Sequence, residues 1–353
     1  NGNRETTNYG GDNFDADSEL SLTASISWEL DLWGNLRWAR DRSTAEFLAS
    51  VENCRAVKMG LVAQVAQSYF ELMALDNELA IVRRTLEARR EGVRLAEIRF
   101  KGGLTSEIVF QQAKVELAKT ATMVPDLERR IALKESEIAL LTGDFPYAVN
   151  RNILPEEIQL PDALPLGLPS TLLERRPDIR KAERELMAAH AEVGLAYTNM
   201  FPRLALTATL GTESETLRDF LKSPYSYLAG NLLSPLFAMG KNRAALKAKR
   251  AAYEGAVAEY EQTVLTAFKE THDAIINFNK IKDIYESRRQ LAEASRTAVE
   301  LAQLQYINGV IGYLDLLDAQ RNYFDAQVSL SNAVCNKQLM IINLYKALGG
   351  GWK

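Results

Sequence analysis

Histidine and cysteine are nearly missing from this chain: His190, His272, Cys54 and Cys335 are the only ones in 353 residues. None has the spacing of a metal site, and two distant cysteines build no disulfide framework. The histidines read as solvated or packed side chains. Also absent are a phosphate-binding loop, a GxGxxG, an HExxH and a CxxC. No catalytic constellation can be assembled, so no enzyme activity and no cofactor are expected. The carboxylates lie along helical stretches, where surface charge is ordinary. An excess of positive charge is missing too. Lys+Arg 42 against Asp+Glu 46 leaves −4, which lacks the basic footprint of a nucleic-acid binder. No run of about 18 apolar residues occurs, so no transmembrane helix is expected. The chain opens on polar "NGNRETTNYG", without the pattern of a secretory leader. Proline is absent from residues 36–100 and from 242–306.

Those two proline-free stretches predict very long helices. At about 1.5 Å per residue each would reach on the order of 100 Å. In the first, Leu75, Leu79, Val82, Leu86, Arg89, Val93, Ala96 and Phe100 follow a 4-3-4-3 spacing that only Arg89 interrupts. That is a coiled-coil seam. Val62, Tyr69 and Met73 lie off it, so the helix touches neighbours on more than one side. Return helices are predicted over 105–142 and 312–348. Thr105 or Ser106 can cap the first, Pro125 should break it near its middle, and Gly143 and Gly349 suit the C′ position.

Strands are signalled by a period of two. In "ELSLTASISWELDL" (19–32), Leu20, Leu22, Ala24, Ile26, Trp28, Leu30 and Leu32 face one way, and Ser, Thr, Glu and Asp the other. "RLALTATLGT" (203–212) alternates similarly through Leu204, Leu206, Ala208 and Leu210. "YSYLAGNLLSPLF" (225–237) is weaker and ends at Pro235. The first run is long enough to cross a bilayer, which takes about 9–11 tilted residues. The stretch 213–224 fits a hairpin loop. Between the halves, residues 144–176 hold Pro146, Pro155, Pro161, Pro165 and Pro169 and read as irregular surface. A helix then runs to 202, with Thr171 and Glu174 as a capping box and Pro177 in its first turn.

The chain is also a tandem duplication. "RFKGGLTSEIVFQQAK" (99–114) and "QYINGVIGYLDLLDAQ" (305–320) align at one offset, 309 − 103 = 206. The same offset pairs Gly34 with Gly240, Arg37 with Arg243, Val51 with Val257, Phe100 with Tyr306 and Gly143 with Gly349, without a gap. Subtracting 206 from 168–212 puts the equivalent helix and most of one strand ahead of the first residue. The expected segments are strand 1–32, helical hairpin 33–143, connector 144–176, helix 177–202, strand hairpin 203–237 and a second helical hairpin with the C-terminus at 238–353.

"PSTLLERRPDIRKAE", "MFPRLALTATLG", "SPLFAMGKNRA", "YINGVIGYLDLLDAQR" and "LYKALGGGW", with "ELDLWGNLRWARD" in the first half, resemble the outer-membrane factors. These are the TolC-like exit ducts of Gram-negative tripartite efflux pumps. The nearer likeness is to the lipoprotein branch serving resistance-nodulation-division transporters. The resemblance implies a mostly α fold with β: a long α-helical barrel of coiled-coil hairpins plus transmembrane β-barrel strands, completed as a homotrimer. It implies an outer-membrane protein extending into the periplasm, anchored through an acylated N-terminal cysteine that this sequence does not contain. Its implied partners are a periplasmic adaptor protein, an inner-membrane resistance-nodulation-division transporter and outer-membrane lipid. By position, Leu20, Leu22, Ile26, Trp28, Leu204 and Leu206 would face lipid. Gly102, Gly103, Leu104, Thr105 and Ser106, with Asn308, Gly309, Val310, Ile311 and Gly312, would form adaptor-contacting tips. Leu314 and Asp318 would form a periplasmic gate, joined by Asp315 and Arg321. Three Asp318 carboxylates about 7 Å apart would repel by roughly 0.6 kcal/mol per pair in water and about 2.4 kcal/mol at an effective dielectric of 20. The counterparts of Asp318 and Leu314 in the first half are Gln112 and Ile108, which predicts different tasks for the two hairpins. The competing expectation is a soluble helical scaffold with a small accessory sheet.

Overall fold

A computed structural model of the chain describes residues 20–151, 174–214, 222, 224–235 and 237–350. In chain order the elements are β1 (Leu20–Leu30), α1 (Asn35–Lys101), α2 (Glu107–Thr142), α3 (Pro177–Thr198), β2 (Arg203–Ser214), β3 (Pro224–Leu233), α4 (Met239–Ile307) and α5 (Tyr313–Ala347). The expected capping box at Thr171, most of the proline-rich connector and most of the hairpin loop lie outside the described residues.

The chain divides into two compact units. The first holds the sheet, the start of α1, most of α3 and the start of α4. Its three strands pair antiparallel in the order β1-β2-β3. Register sets Ala24 opposite Leu210, Ile26 opposite Ala208 and Trp28 opposite Leu206. The intervening residues put Ser25 opposite Thr209 and Ser27 opposite Thr207, with hydroxyl contacts of 3.2 Å in both cases. The alternation in the sequence therefore becomes two chemically distinct faces. Asp31 starts α1 by accepting hydrogen bonds from the backbone N–H of Leu36 and Arg37 at 3.0 and 3.2 Å. Gly194 lets α3 approach α1 closely: a Cβ there would lie 2.3 Å from the Trp38 ring.

The second unit holds the rest of the helices. α1 and α4 run 67 and 69 residues, the two long helices that the missing prolines predict. The core joins Leu72, Leu75, Leu79 and Val82 of α1 to Leu127, Ile131 and Ile138 of α2 and to Val149 beyond it, with Phe324 of α5 packed against them. The seam thus reads as expected, with Leu86 and Ala96 also buried. Pro125 does not break α2, which is continuous through it. The neighbouring Met123, Val124 and Leu127 all pack on this core, and that burial outweighs the one backbone hydrogen bond proline forfeits. Pro125→Ala restores the missing donor and should raise stability by about 0.5–1.5 kcal/mol, the net value of one hydrogen bond, read as a shift in thermal midpoint. A lowered midpoint would show that proline fits the site better than a regular turn.

Candidate functional site

The helical hairpins end in two turns with the same hydrogen bonds. In the first, Gly102, Gly103 and Leu104 donate through their backbone N–H to Ile98, Phe100 and Arg99 oxygens. In the second, Asn308, Gly309 and Val310 donate to Leu304, Tyr306 and Gln305, each pair displaced by 206. Gly103 and Gly309 take φ of 71° and 73°, the left-handed conformation that ends a helix and that a side chain resists. Leu104 and Val310 project from the turns, 75% and 69% exposed.

The two turns lead into different helix starts. Ser106 stands at the N-cap of α2 with extended backbone, but its hydroxyl makes no capping hydrogen bond, and neither expected cap is realised. In α5 the cap is acidic instead. Asp315 accepts from the Gly312 N–H at 3.0 Å, three residues into the helix, where a carboxylate meets unpaired donors. Asp315 therefore serves its own helix start. Leu314 and Asp318 lie one turn apart on an exposed face, and Asn322 donates to Asp318 at 3.2 Å.

Arg321 lies three residues beyond Asp318 in α5. It hydrogen-bonds to Glu116 of the first hairpin, while Asp318 acts on it only through its charge. Glu116 is buried and holds Arg89 of α1 as well, at 2.6 Å, and Arg89 reaches the Glu116 backbone oxygen at 2.8 Å. One carboxylate thus links three helices. Burial pushes the Glu116 carboxyl up, but the Arg321 hydrogen bond and the charges of Arg89 and Arg321 outweigh it and leave the group below its ordinary value. A second link lies nearer the tips, where the Arg99 guanidinium sits 4.8 Å from the Tyr306 ring and Tyr306 meets Tyr313 edge-on at 5.8 Å. Beside these links is a cleft of about 330 Å³ among α1, α2, α4 and α5. Sequence reasoning missed Glu116, which looks like any helical carboxylate. The available signal was Arg89, a cation inside an apolar seam that needs a buried partner.

At the sheet, the apolar face is uncovered: Leu22, Ile26 and Trp28 are 63%, 75% and 63% exposed, and Leu228 and Leu232 join them. Leu204 and Leu206 are half-buried. Leu20 begins β1. The opposite face carries the hydroxyl pairs and Tyr225, whose ring crosses Gly211 to reach the Thr23 hydroxyl at 3.3 Å. Among the described residues no helix is long and apolar enough to cross a membrane.

The sequence matches a family model described as outer membrane efflux protein over residues 1–144 and 168–350. Outer membrane protein OprJ of Pseudomonas aeruginosa is 35% identical over 335 residues, spanning 92% of this chain and 68% of OprJ. The solvent efflux pump outer membrane protein SrpC of Pseudomonas putida is 33% identical over 340 residues, 95% of this chain and 72% of SrpC. Among solved structures, the outer-membrane channel OprN superposes with a TM-score of 0.87 at 30% identity, covering all of this chain and 80% of OprN.

Proposed function

The chain belongs to the outer membrane efflux protein family, and we propose that it acts as a passive, trimeric exit duct whose tunnel is gated at the hairpin tips. The observation that carries this reading is the sheet. It is uncovered on both faces, one lined by Leu, Ile and Trp and the other by Ser and Thr hydroxyls. A soluble scaffold would bury the first face; a closed barrel turns it to lipid and encloses the second around water. Leu20, Leu22, Ile26, Trp28, Leu204 and Leu206 then contact outer-membrane lipid. The three strands among the described residues leave open edges, which hydrocarbon does not tolerate, so equivalent chains must close the cylinder. The long helices exceed a hydrocarbon core of about 30 Å and extend into the periplasm.

At the far end the exposed turns, 102–106 and 308–312, present backbone and apolar side chains to a periplasmic adaptor. An inner-membrane transporter of the resistance-nodulation-division class supplies the energy for export. Leu314 and Asp318, exposed on one face of α5, form the constriction on the three-fold axis: an apolar ring that sheds water beside a ring of like charges. Arg321 and Glu116 hold the α5 hairpin against the first hairpin and so keep the constriction narrow.

Single-channel recording on the full-length protein tests this reading. The wild type should show small conductance, and Asp318→Ala should raise it and weaken its preference for cations. Unchanged current in that variant removes Asp318 from the gate. A full-length protein that is monomeric and makes no channels removes the duct itself.

A further inference from the structure

We infer that the foot of the sheet carries a cationic collar for the anionic headgroups of phospholipids in the leaflet it meets. Four element ends come together there. The Asn199 side chain, just after α3, accepts from Asn35 of α1 at 3.1 Å and from Arg203 of β2 at 2.6 Å. Its backbone oxygen accepts from Asn242 of α4 at 3.0 Å. Aromatic rings mark the same level. Trp33 stacks on Phe201 at 4.8 Å and donates to the Pro202 oxygen at 2.8 Å, and Tyr197 meets Phe201 edge-on. Both remain partly exposed, as side chains with an apolar body and a polar tip are at a boundary between hydrocarbon and water. Leu232, Leu233 and Phe237, just before α4, are uncovered, so the apolar surface ends where the cations begin.

The charge at this level has one sign. Lys241, Arg243, Lys247, Lys249 and Arg250 stand between Met239 and Tyr253 with no acid among them, in a chain whose net charge is −4. Lys249 pairs with Glu192 of α3, and Arg37 of α1 with Asp31. Arg203, Lys241, Arg243 and Lys247 are exposed and meet no acid among the described residues. Lys241 and Arg243 also stand at the start of α4, where the helix dipole is already positive. That placement costs the isolated chain stability and calls for negative charge from outside it. The two side chains leave α4 about 200° apart, so one of them points outward whichever side of the helix meets the leaflet. Their long stems let the charged heads reach up to phosphates at the membrane boundary. The collar rests on the duct reading above, which sets the sheet in hydrocarbon.

The full-length protein in nanodiscs tests it. Phosphatidylglycerol and phosphatidylcholine compete for its surface, and their relative affinity is read from tryptophan quenching by each lipid brominated on its acyl chains. The wild type should prefer the anionic lipid. Each cation beside an anionic surface is worth about fivefold in binding. Replacing Arg203, Lys241, Arg243 and Lys247 together by Gln should therefore cut the preference at least about tenfold. All four side chains are exposed, so the fold should survive. Replacing four cations of the second unit by Gln instead, Lys119, Arg130, Lys280 and Arg288, should leave the preference unchanged. An undiminished preference in the first variant, or an equal loss in the second, overturns the collar. Excess inorganic phosphate that abolishes the wild-type preference would make free phosphate the ligand and remove the leaflet as partner. A protein that never enters nanodiscs overturns the duct and the collar together, whereas one that inserts without a lipid preference overturns the collar alone.

Discussion

Glu116→Ala will give a channel that conducts more and melts earlier. Its partner Arg89 is 10% exposed and Glu116 itself 5%, so the substitution strands a guanidinium in the helix interior. Removing one member of a buried pair costs about 3–5 kcal/mol. Arg321 is 48% exposed and adds little, because water compensates it. The loss therefore falls mainly between α1 and α2, while the freed α5 accounts for the rise in current. Acid should act in the same direction. The Glu116 carboxyl is held below its ordinary value of 4.5, so its contribution is complete above that pH. It fades as pH falls through the lower value of the folded state. Current should thus rise below about pH 4.5 in the wild type and be less pH-dependent in Glu116→Gln, which keeps a hydrogen-bonding group without the charge. An alanine variant with unaltered melting and conductance would disprove the link between hairpins.

Arg176→Ala has the second large effect. Arg176 is 5% exposed and joins three elements at once. It donates to Asp178 at the start of α3, to Glu270 of α4 at 2.6 Å, and to the Ala347 carbonyl at the end of α5 at 3.1 Å. Thr271 donates to the same carbonyl at 3.2 Å. The two acids are 38% and 51% exposed, so leaving them alone costs little. The charge-assisted bond to a buried helix end is worth about 1.5–3 kcal/mol. The expected phenotype is a lower melting temperature and faster hydrogen exchange over the last turn of α5, with channel conductance unchanged. Exchange that accelerates elsewhere instead would mean the residue secures some other contact.

The parts legible in the sequence are those governed by near neighbours. A left-handed glycine ends a helix whatever surrounds it, so Gly103, Gly143, Gly309 and Gly349 could be found and matched across the repeat. Alternation over 19–32 reports a strand because successive side chains of an extended backbone point to opposite faces, which no distant contact had to supply. Pro125 went the other way: the local rule against proline in a helix lost to Met123, Val124 and Leu127 seated in a core assembled from residues far along the chain. Glu116 was illegible for the same reason, since its burial exists only once α1, α2 and α5 have met. Asp315 was readable as a helix cap too, from its place three residues after Gly312.

The duplication has a last mechanical consequence. The turns repeat atom for atom in their backbone pairing, yet the charged link does not repeat. Glu116 corresponds to Asn322 (116 + 206), and Arg321 to Val115 (321 − 206). The first hairpin is thus tied to the second by an ion pair that the duplication did not copy. In the proposed trimer the joint between neighbouring chains would lack this particular tie, and the aperture is expected to part there first.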